Sequence, residues 1–381
     1  MSRFIRVAAF ASAACAASIA LAGPRYETLS VAKMAEPSPH RIYISDIAIN
    51  HIVDGRLHVI DGDELKYLGM ISTGYAGNVA LSLDRREIYV ATTYYSRLAR
   101  GERTDVVDIH DSQTLGHKGE ISIPARHAQA LPYKGLVRPS SDGRWLFVQN
   151  ATPASSVTVV DLKARKFAAE VPTPGCWSVI PSQTEGSRFS TLCGDGSLQS
   201  IVLNDSGSPK SRVRSPRFFD PDEDPVFVHA ENIGDRHFLV SYKGKVYAAD
   251  LSGDEPKIEA PWPLASVAEA RKGWRPGGYQ LIAAHRKSGR LFVGMHPGGG
   301  EGSHKNPAKE IWVFDLENKK RVARLPGHSA VAIAVSQEVQ PKLFAIDGEK
   351  MGLAVYDAGD KPRFLKRMEQ IGEAATLMEL H

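Results

Sequence analysis

Short apolar runs separated by polar turns repeat along nearly the whole chain, and their spacing predicts strands rather than helices. In residues 78–123 the runs are Val79-Ala80-Leu81-Ser82-Leu83, Glu87-Ile88-Tyr89-Val90-Ala91, Asp105-Val106-Val107-Asp108-Ile109 and Glu120-Ile121-Ser122-Ile123. Residues 136–172 repeat the series with Leu136-Val137-Arg138, Trp145-Leu146-Phe147-Val148, Val157-Thr158-Val159-Val160-Asp161 and Phe167-Ala168-Ala169-Glu170-Val171. Further copies begin near Trp177, Phe227, Tyr279 and Ala330, with third strands ending at Asp250, Asp315 and Asp357. Alternating strands broken by Asp-Gly turns at 142–143, 195–196 and 347–348 are antiparallel hairpin chemistry. Four strands in roughly 40 to 55 residues is the period of propeller blades.

The two ends set the expected count. Arg41-Ile42-Tyr43-Ile44 reads as a second strand with no inner strand before it, and Ala375-Thr376-Leu377-Met378-Glu379-Leu380 is a spare strand after the last copy. Six complete copies plus one shared by the termini predict an all-β, seven-bladed β-propeller over residues 40–381. Its ring is expected to be closed by the C-terminal strand in the first blade, because an open ring leaves two sheet edges free to pair with other chains.

Ahead of this domain the pattern changes. Arg3 and Arg6 precede an Ala-rich apolar run from Val7 to Leu21, and Ala20-Leu21-Ala22 has the small-x-small form of a signal-peptidase site. Residues 1–22 are therefore expected to be a cleaved signal peptide and 23–39 a flexible N-terminal segment. The run is short for a membrane span and Gly23-Pro24 follow at once, so a soluble, exported protein is expected. Export fits the cysteines, since loss of Cys15 leaves only Cys176 and Cys193. An even pair in an oxidising compartment is normally bonded. Cys176 opens an inner strand and Cys193 ends its neighbour, so a hairpin brings them within bonding range. A loop of that size stabilises by about 3 kcal/mol in the chain-entropy model.

Charge excludes one class of partner. The full chain has 47 Lys+Arg against 43 Asp+Glu, and the signal peptide removes two of the cations. So weak a balance, with no run of basic residues interleaved with aromatics, gives no reason to expect nucleic acid. The basic stretch Arg97 to Arg103 reads as a solvated hairpin loop.

Catalytic chemistry is sparse. No Gly-x-Ser-x-Gly and no free cysteine supply an activated nucleophile. Asp220, Asp222 and Asp224 alternate like calcium ligands, but Pro225 stands where the loop needs Gly, and an exposed acidic loop is the better reading. Met295 to Lys305 reads as a long hairpin loop, with His296 and His304 as weak metal candidates; His127, His229 and His285 read as ordinary core or surface residues. The residues themselves point to a scaffold or a binding subunit.

Several stretches resemble the heavy chain of aromatic amine dehydrogenase, and more loosely that of methylamine dehydrogenase. They are Thr92-Thr93-Tyr94 with Arg100 to Val107, Gly175 to Pro181 with Cys193-Gly194-Asp195-Gly196, Trp274 to Tyr279, and Met295-His296-Pro297 with Glu301 to Lys305. The similarity runs from about Arg41 to the C-terminus. It implies a periplasmic α2β2 enzyme that converts primary, aromatic amines to aldehyde and ammonia. In such enzymes a small, disulfide-rich light subunit holds tryptophan tryptophylquinone, formed from two of its own Trp residues. The quinone takes the amine as a Schiff base, an Asp of that subunit removes the α-proton, and electrons pass to a blue-copper protein such as azurin or amicyanin. By this reading the present chain holds no cofactor, metal or catalytic residue; it positions the light subunit and walls part of the substrate tunnel. A family Phe projects into that tunnel, and the matching loop Ser72 to Asn78 places Tyr75 there. A partly buried aromatic at a blade junction is the competing reading of Tyr75. Two other functions remain open on the sequence: a stand-alone exported propeller such as a lactonase, and a propeller that only binds another partner.

Overall fold

Two recurring turn devices convert the apolar runs into antiparallel sheets. Between the first two strands of a repeat, a Ser hydroxyl donates to a nearby carboxylate and accepts the N–H of the next strand. Ser82 does so with Asp84 (2.6 Å) and Glu87 (2.9 Å), Ser140 with Asp142 (2.6 Å) and Trp145 (2.9 Å), and Ser336 with Glu338 (2.7 Å) and Lys342 (2.8 Å). Between third and fourth strands the recurrent Asp caps the turn through its carboxylate. Asp61, Asp111, Asp161 and Asp315 each accept backbone N–H groups two or three residues on. A left-handed residue then reverses the chain at Leu65, Leu115, Arg165 and Lys319.

The computed structural model describes residues 30–381, and the contacts below lie within residues 34–381. The expected signal peptide, with cleavage after Ala22, lies outside the described residues. Residues just before the first strand are tied down: the Met34 N–H donates to the Gln113 carbonyl (3.0 Å), and Gln113 Nε2 donates to Glu36 (3.0 Å). No described helix is long and apolar enough to cross a membrane.

The strands form a β-propeller ring of six hydrogen-bonded sheets. In the first, the order is Ala375–Leu380, Arg41–Asp46, Gly55–Asp61 and Lys66–Gly74, so the C-terminal strand is innermost. The second sheet spans Asn78–Leu81 to His117–Ile123, the third Val137–Pro139 to Lys166–Pro172, and the fourth Cys176–Pro181 to Pro209–Arg214. A fifth runs from Val226–Ile233 and has its outer edge split into Lys257–Ile258 and Trp262–Pro263. The sixth has eight strands.

This corrects the expectation of seven separate four-stranded blades: five sheets are blade-sized and one is double. The cause is a single strand, Lys320–Val335, whose first part pairs with Ala308–Asp315 and whose last part pairs with Lys342–Asp347. Sequence reading began a new copy near Ala330, just after Pro326-Gly327. There the backbone bends through left-handed His328 and Ser329, yet the ladder continues with Ala308 opposite Ala330. Gly327 permits the bend, since a Cβ would lie 2.3 Å from the Ala308 carbonyl oxygen. The double sheet folds back on itself, with Phe292, Val313, Leu343 and Tyr356 packed between its halves.

The core lies between neighbouring sheets. Tyr43, Leu57, Ile88 and Val90 join the first to the second, and Ile42, Ile44, Phe344 and Ile346 join the sixth to the first. Among the described residues one short α-helix, Val267–Arg271, and two 3-10 turns, Ile49–Asp54 and Ser303–Lys305, interrupt the all-β pattern; the α-helix carries a Ser266/Glu269 capping box and is held by Arg321 at 2.8 Å from Glu269.

Candidate functional site

The loops that lead into the innermost strands share one face of the ring with the hairpins joining second to third strands. Five aromatic residues stand at those entries: Tyr75, Tyr133, Trp177, Phe227 and Tyr279. The expected tunnel residue is among them. Tyr75 is half-buried and meets Tyr95 edge to face, with ring centroids 5.8 Å apart. Its loop is rigidly built. Left-handed Gly74 and Ala76 turn the chain, Gly77 N–H donates to the Thr73 carbonyl (3.0 Å), and Thr92 Oγ1 donates to the same oxygen (2.6 Å). A Cβ at Gly74 would lie 2.7 Å from Thr92 Oγ1, so the loop holds Tyr75 in place at the cost of sequence freedom.

Tyr95 belongs to a long hairpin, Glu87–Arg97 with Arg100–Asp111, which extends the second sheet outward. Its tip is the basic Arg97–Arg103 stretch, and Leu98 there is 75% exposed. Arg103 folds back onto buried Asp105 (2.7 Å), which also accepts the His127 N–H (2.9 Å) and so fixes the root of the arm.

Cys176 and Cys193 are bonded to each other across directly opposed positions of the first two strands of the fourth sheet. The following residues bulge: Trp177 pairs with Leu192 but Ile180 with Ser190, and Ser178 adopts φ 69°. A bulge re-aims side chains. Here it turns Trp177 into a cavity of about 240 Å³ walled by Tyr133, Trp177, Phe227, Tyr242 and Tyr279. A second bulge, between Val226 and Ala230, presents Phe227 and His229 to the same cavity. His304 stacks on Tyr242 with centroids 5.1 Å apart, and burial pushes its imidazole below the ordinary value.

The ring axis holds a second cavity, about 490 Å³, crossed by buried charges. Lys134 Nζ donates to the Met378 carbonyl (2.6 Å) and pairs with Glu379 (2.5 Å), with Arg138 3.6 Å away. Burial acts to raise the Glu379 carboxyl, but Lys134 and Arg138 hold it below the usual carboxylate range. His229 lines both cavities, and its Nε2 lies 3.0 Å from Glu231 in the channel.

The remaining sequence candidates are placed apart. His127, buried, reaches Asn78 (3.2 Å), and burial takes it down to about 4. His285 bridges Ser288 (2.8 Å) and the Glu338 carbonyl (3.0 Å). His296 is buried with Nδ1 3.2 Å from the Pro297 carbonyl. Asp224, read as part of an exposed loop, is instead buried and accepts Ser241 Oγ (2.9 Å) and the Lys243 N–H (2.8 Å). Among the described residues no group of three His, Cys, Asp or Glu is arranged to hold a metal ion. Sequence reasoning missed Tyr133, Phe227 and Tyr242 as a group; aligning the repeats on their strand entries exposes Tyr133 and Phe227, whereas Tyr242 lies in a later turn, after Arg236–Ser241.

Comparison with known proteins follows the same extent as the ring. The model of the methylamine dehydrogenase heavy chain family matches residues 38–380. The methylamine dehydrogenase heavy chain of Methylobacillus flagellatus is 29% identical over 340 residues, covering 88% of this chain and 84% of that protein. That of Paracoccus versutus is 29% identical over 349 residues, covering 91% and 80%. Among solved structures, the dihydro-haem d1 dehydrogenase NirN superposes with a TM-score of 0.56 at 15% identity, over 91% of this chain and 68% of that one. The hydrazine synthase of Kuenenia stuttgartiensis gives 0.53 at 14% identity, over 88% and 94%. At those identities the two structures share only the fold.

Proposed function

The chain belongs to the methylamine dehydrogenase heavy chain family, and from that premise we propose that it is the heavy subunit of an exported, periplasmic amine dehydrogenase acting on aromatic primary amines. The family match over residues 38–380 supports the heavy-subunit part of this reading, and the resemblance of Thr92-Thr93-Tyr94, Gly175 to Pro181 and Met295 to Lys305 to the aromatic-amine branch is the ground for the aromatic part. In the assembled α2β2 enzyme a light subunit holds tryptophan tryptophylquinone, and a blue-copper protein of the azurin or amicyanin type takes the electrons. When bound there, the quinone supplies the electrophilic carbonyl and the electron sink for amine oxidation.

This chain's own indoles support that division of labour. Its one indole–indole contact among the described residues, Trp274 with Trp312 at 5.1 Å, is covered by Arg321 and Arg324, and Trp312 Nε1 donates to Glu310 (2.6 Å). Those groups are committed to packing the sixth sheet. What the chain offers a substrate is the Tyr75 loop. Tyr95 and a tight backbone hold the phenol there, and in this reading it narrows the mouth of the substrate passage and presents one hydroxyl to an amine or a water molecule.

The test is the relative rate of dye reduction by the purified complex with tyramine, phenethylamine and methylamine. Aromatic amines are expected to be turned over with the higher kcat/KM. Tyr75→Ala is expected to change the ratio of bulky to small amine by about three- to tenfold without abolishing quinone reduction. Preference for methylamine would overturn the aromatic assignment, and an unchanged ratio would remove Tyr75 from the tunnel.

A further inference from the structure

Three side chains form a proton-transfer line across the first sheet that the proposed amine oxidation does not use. Tyr67 lies on the outermost strand, Lys66–Gly74, His58 on Gly55–Asp61 and Asp46 at the end of Arg41–Asp46. The Tyr67 hydroxyl is 3.0 Å from His58 Nδ1, and His58 Nε2 is 3.3 Å from Asp46 Oδ2. Asp46 sets the direction of the line. Its carboxylate also accepts the backbone N–H groups of Ala48, Glu373 and Ala374, which keep it ionised, so it can only accept. His58 Nε2 therefore carries the proton, and in the neutral ring Nδ1 is left with a lone pair, to which the phenol donates. A buried carboxylate that orients an imidazole in this way readies it to take a proton from a hydroxyl. Access runs the other way. Asp46 and His58 are buried while Tyr67 is 46% exposed, so a molecule at the rim meets the phenol and not the base behind it. The remaining charges beside the line are Arg56, on the His58 strand, and Glu373, on the returning tail. Burial pushes the phenol up, with Arg56 acting against it, so the hydroxyl keeps its proton at neutral pH. Such a phenol gives up an electron readily only when that proton leaves too, because the oxidised ring is a very strong acid.

We propose that Tyr67 is a redox-active tyrosine, which gives one electron to a high-potential one-electron oxidant, a metal complex, at the rim of the first sheet while its phenolic proton passes to His58 Nδ1. Tyr67 becomes the neutral tyrosyl radical, the oxidant is reduced by one electron, and ionised Asp46 stabilises the imidazolium that forms. Return of one electron from a reductant draws the proton back and restores the phenol. Tyr94 is the internal contrast. It is 41% exposed, but its hydroxyl donates to Asp108 (2.6 Å), and a carboxylate is a far weaker base than an imidazole.

Flash photolysis of the full mature chain with tris(bipyridyl)ruthenium and persulfate supplies such an oxidant, and the absorbance of the tyrosyl radical follows the product. A fast phase is expected that Tyr67→Phe removes and Tyr94→Phe leaves in place. His58→Gln, checked for an unchanged melting temperature, is expected to slow this phase by at least about tenfold, because an amide can accept the phenol's hydrogen bond but not its proton. In the unaltered chain the fast phase is expected to fall as the pH is lowered and His58 gains a proton, a step missing from His58→Gln. A fast phase that survives in Tyr67→Phe, or a flat pH profile in the unaltered chain, overturns the proposal, and neither result bears on the amine assay.

Discussion

At the scale of single residues, Asp46 does more than its position in an edge-to-centre strand would predict. Its carboxylate accepts the N–H groups of Glu373 (2.7 Å) and Ala374 (2.8 Å) from the returning C-terminal segment, together with that of Ala48 (2.8 Å), and lies 3.3 Å from His58 Nε2. Burial acts to raise this carboxyl, but His58 and the three N–H groups outweigh it and hold the acid far below its ordinary value of 3.8. The folded form therefore binds its proton more weakly than the unfolded chain does. The stabilisation is complete above about pH 4 and is lost as the pH falls further. Asp46→Asn is expected to cost about 2 kcal/mol at neutral pH and to flatten the fall in melting temperature between about pH 4 and pH 2. Melting curves across that range, by circular dichroism, check this; parallel slopes for the two proteins would refute the clamp. Nothing in the sequence marks Asp46 as the clamp, because the segment it holds, Glu373-Ala374, lies more than 300 positions away. The tunnel role proposed for Tyr75 comes from a resemblance alone, since its loop by itself reads as an ordinary glycine-rich turn.

Among the elements, the strands and their turns were largely readable. Ser82, Ser140 and the recurrent terminal Asp residues act locally, through hydrogen bonds within a few positions, so their chemistry is written in short windows. The pairing of Cys176 with Cys193 followed from the same local logic of a hairpin. Where reading failed, the decisive contact was distant. The strand Lys320–Val335 carries Pro326-Gly327, which signals a break, yet the ladder with Ala308 holds it as one element. The aromatic cavity escaped notice for a similar reason, because Tyr133, Trp177 and Tyr242 converge only once the ring is closed. The disulfide joins two strands that are already neighbours, so its effect should stay within the fourth sheet. Replacing both cysteines by serine is expected to lower stability by up to about 3 kcal/mol while leaving subunit association intact. Denaturant titration gives the first quantity, and size-exclusion chromatography the second; loss of association would show that the bond shapes the docking face.

For the whole molecule, the ring closes by two devices: the Ala375–Leu380 strand paired with Arg41–Asp46, and the buried Lys134–Glu379 pair that ties the tail to the third sheet's entry. Closure matters because the proposed role is passive in chemistry and demanding in geometry. A scaffold that presents the Tyr75 loop and a basic hairpin to a second chain must keep them fixed relative to one another, and a closed ring does so. The central claim is that this face carries a light subunit. Native mass spectrometry of the complex formed when the chain is co-expressed with a small, cysteine-rich light subunit of the same enzyme class tests that claim most directly. The account predicts a heterotetramer with two copies of each chain and the absorbance of a tryptophan-derived quinone in the small one; a stable monomer of the large chain, with no small partner retained, would contradict it.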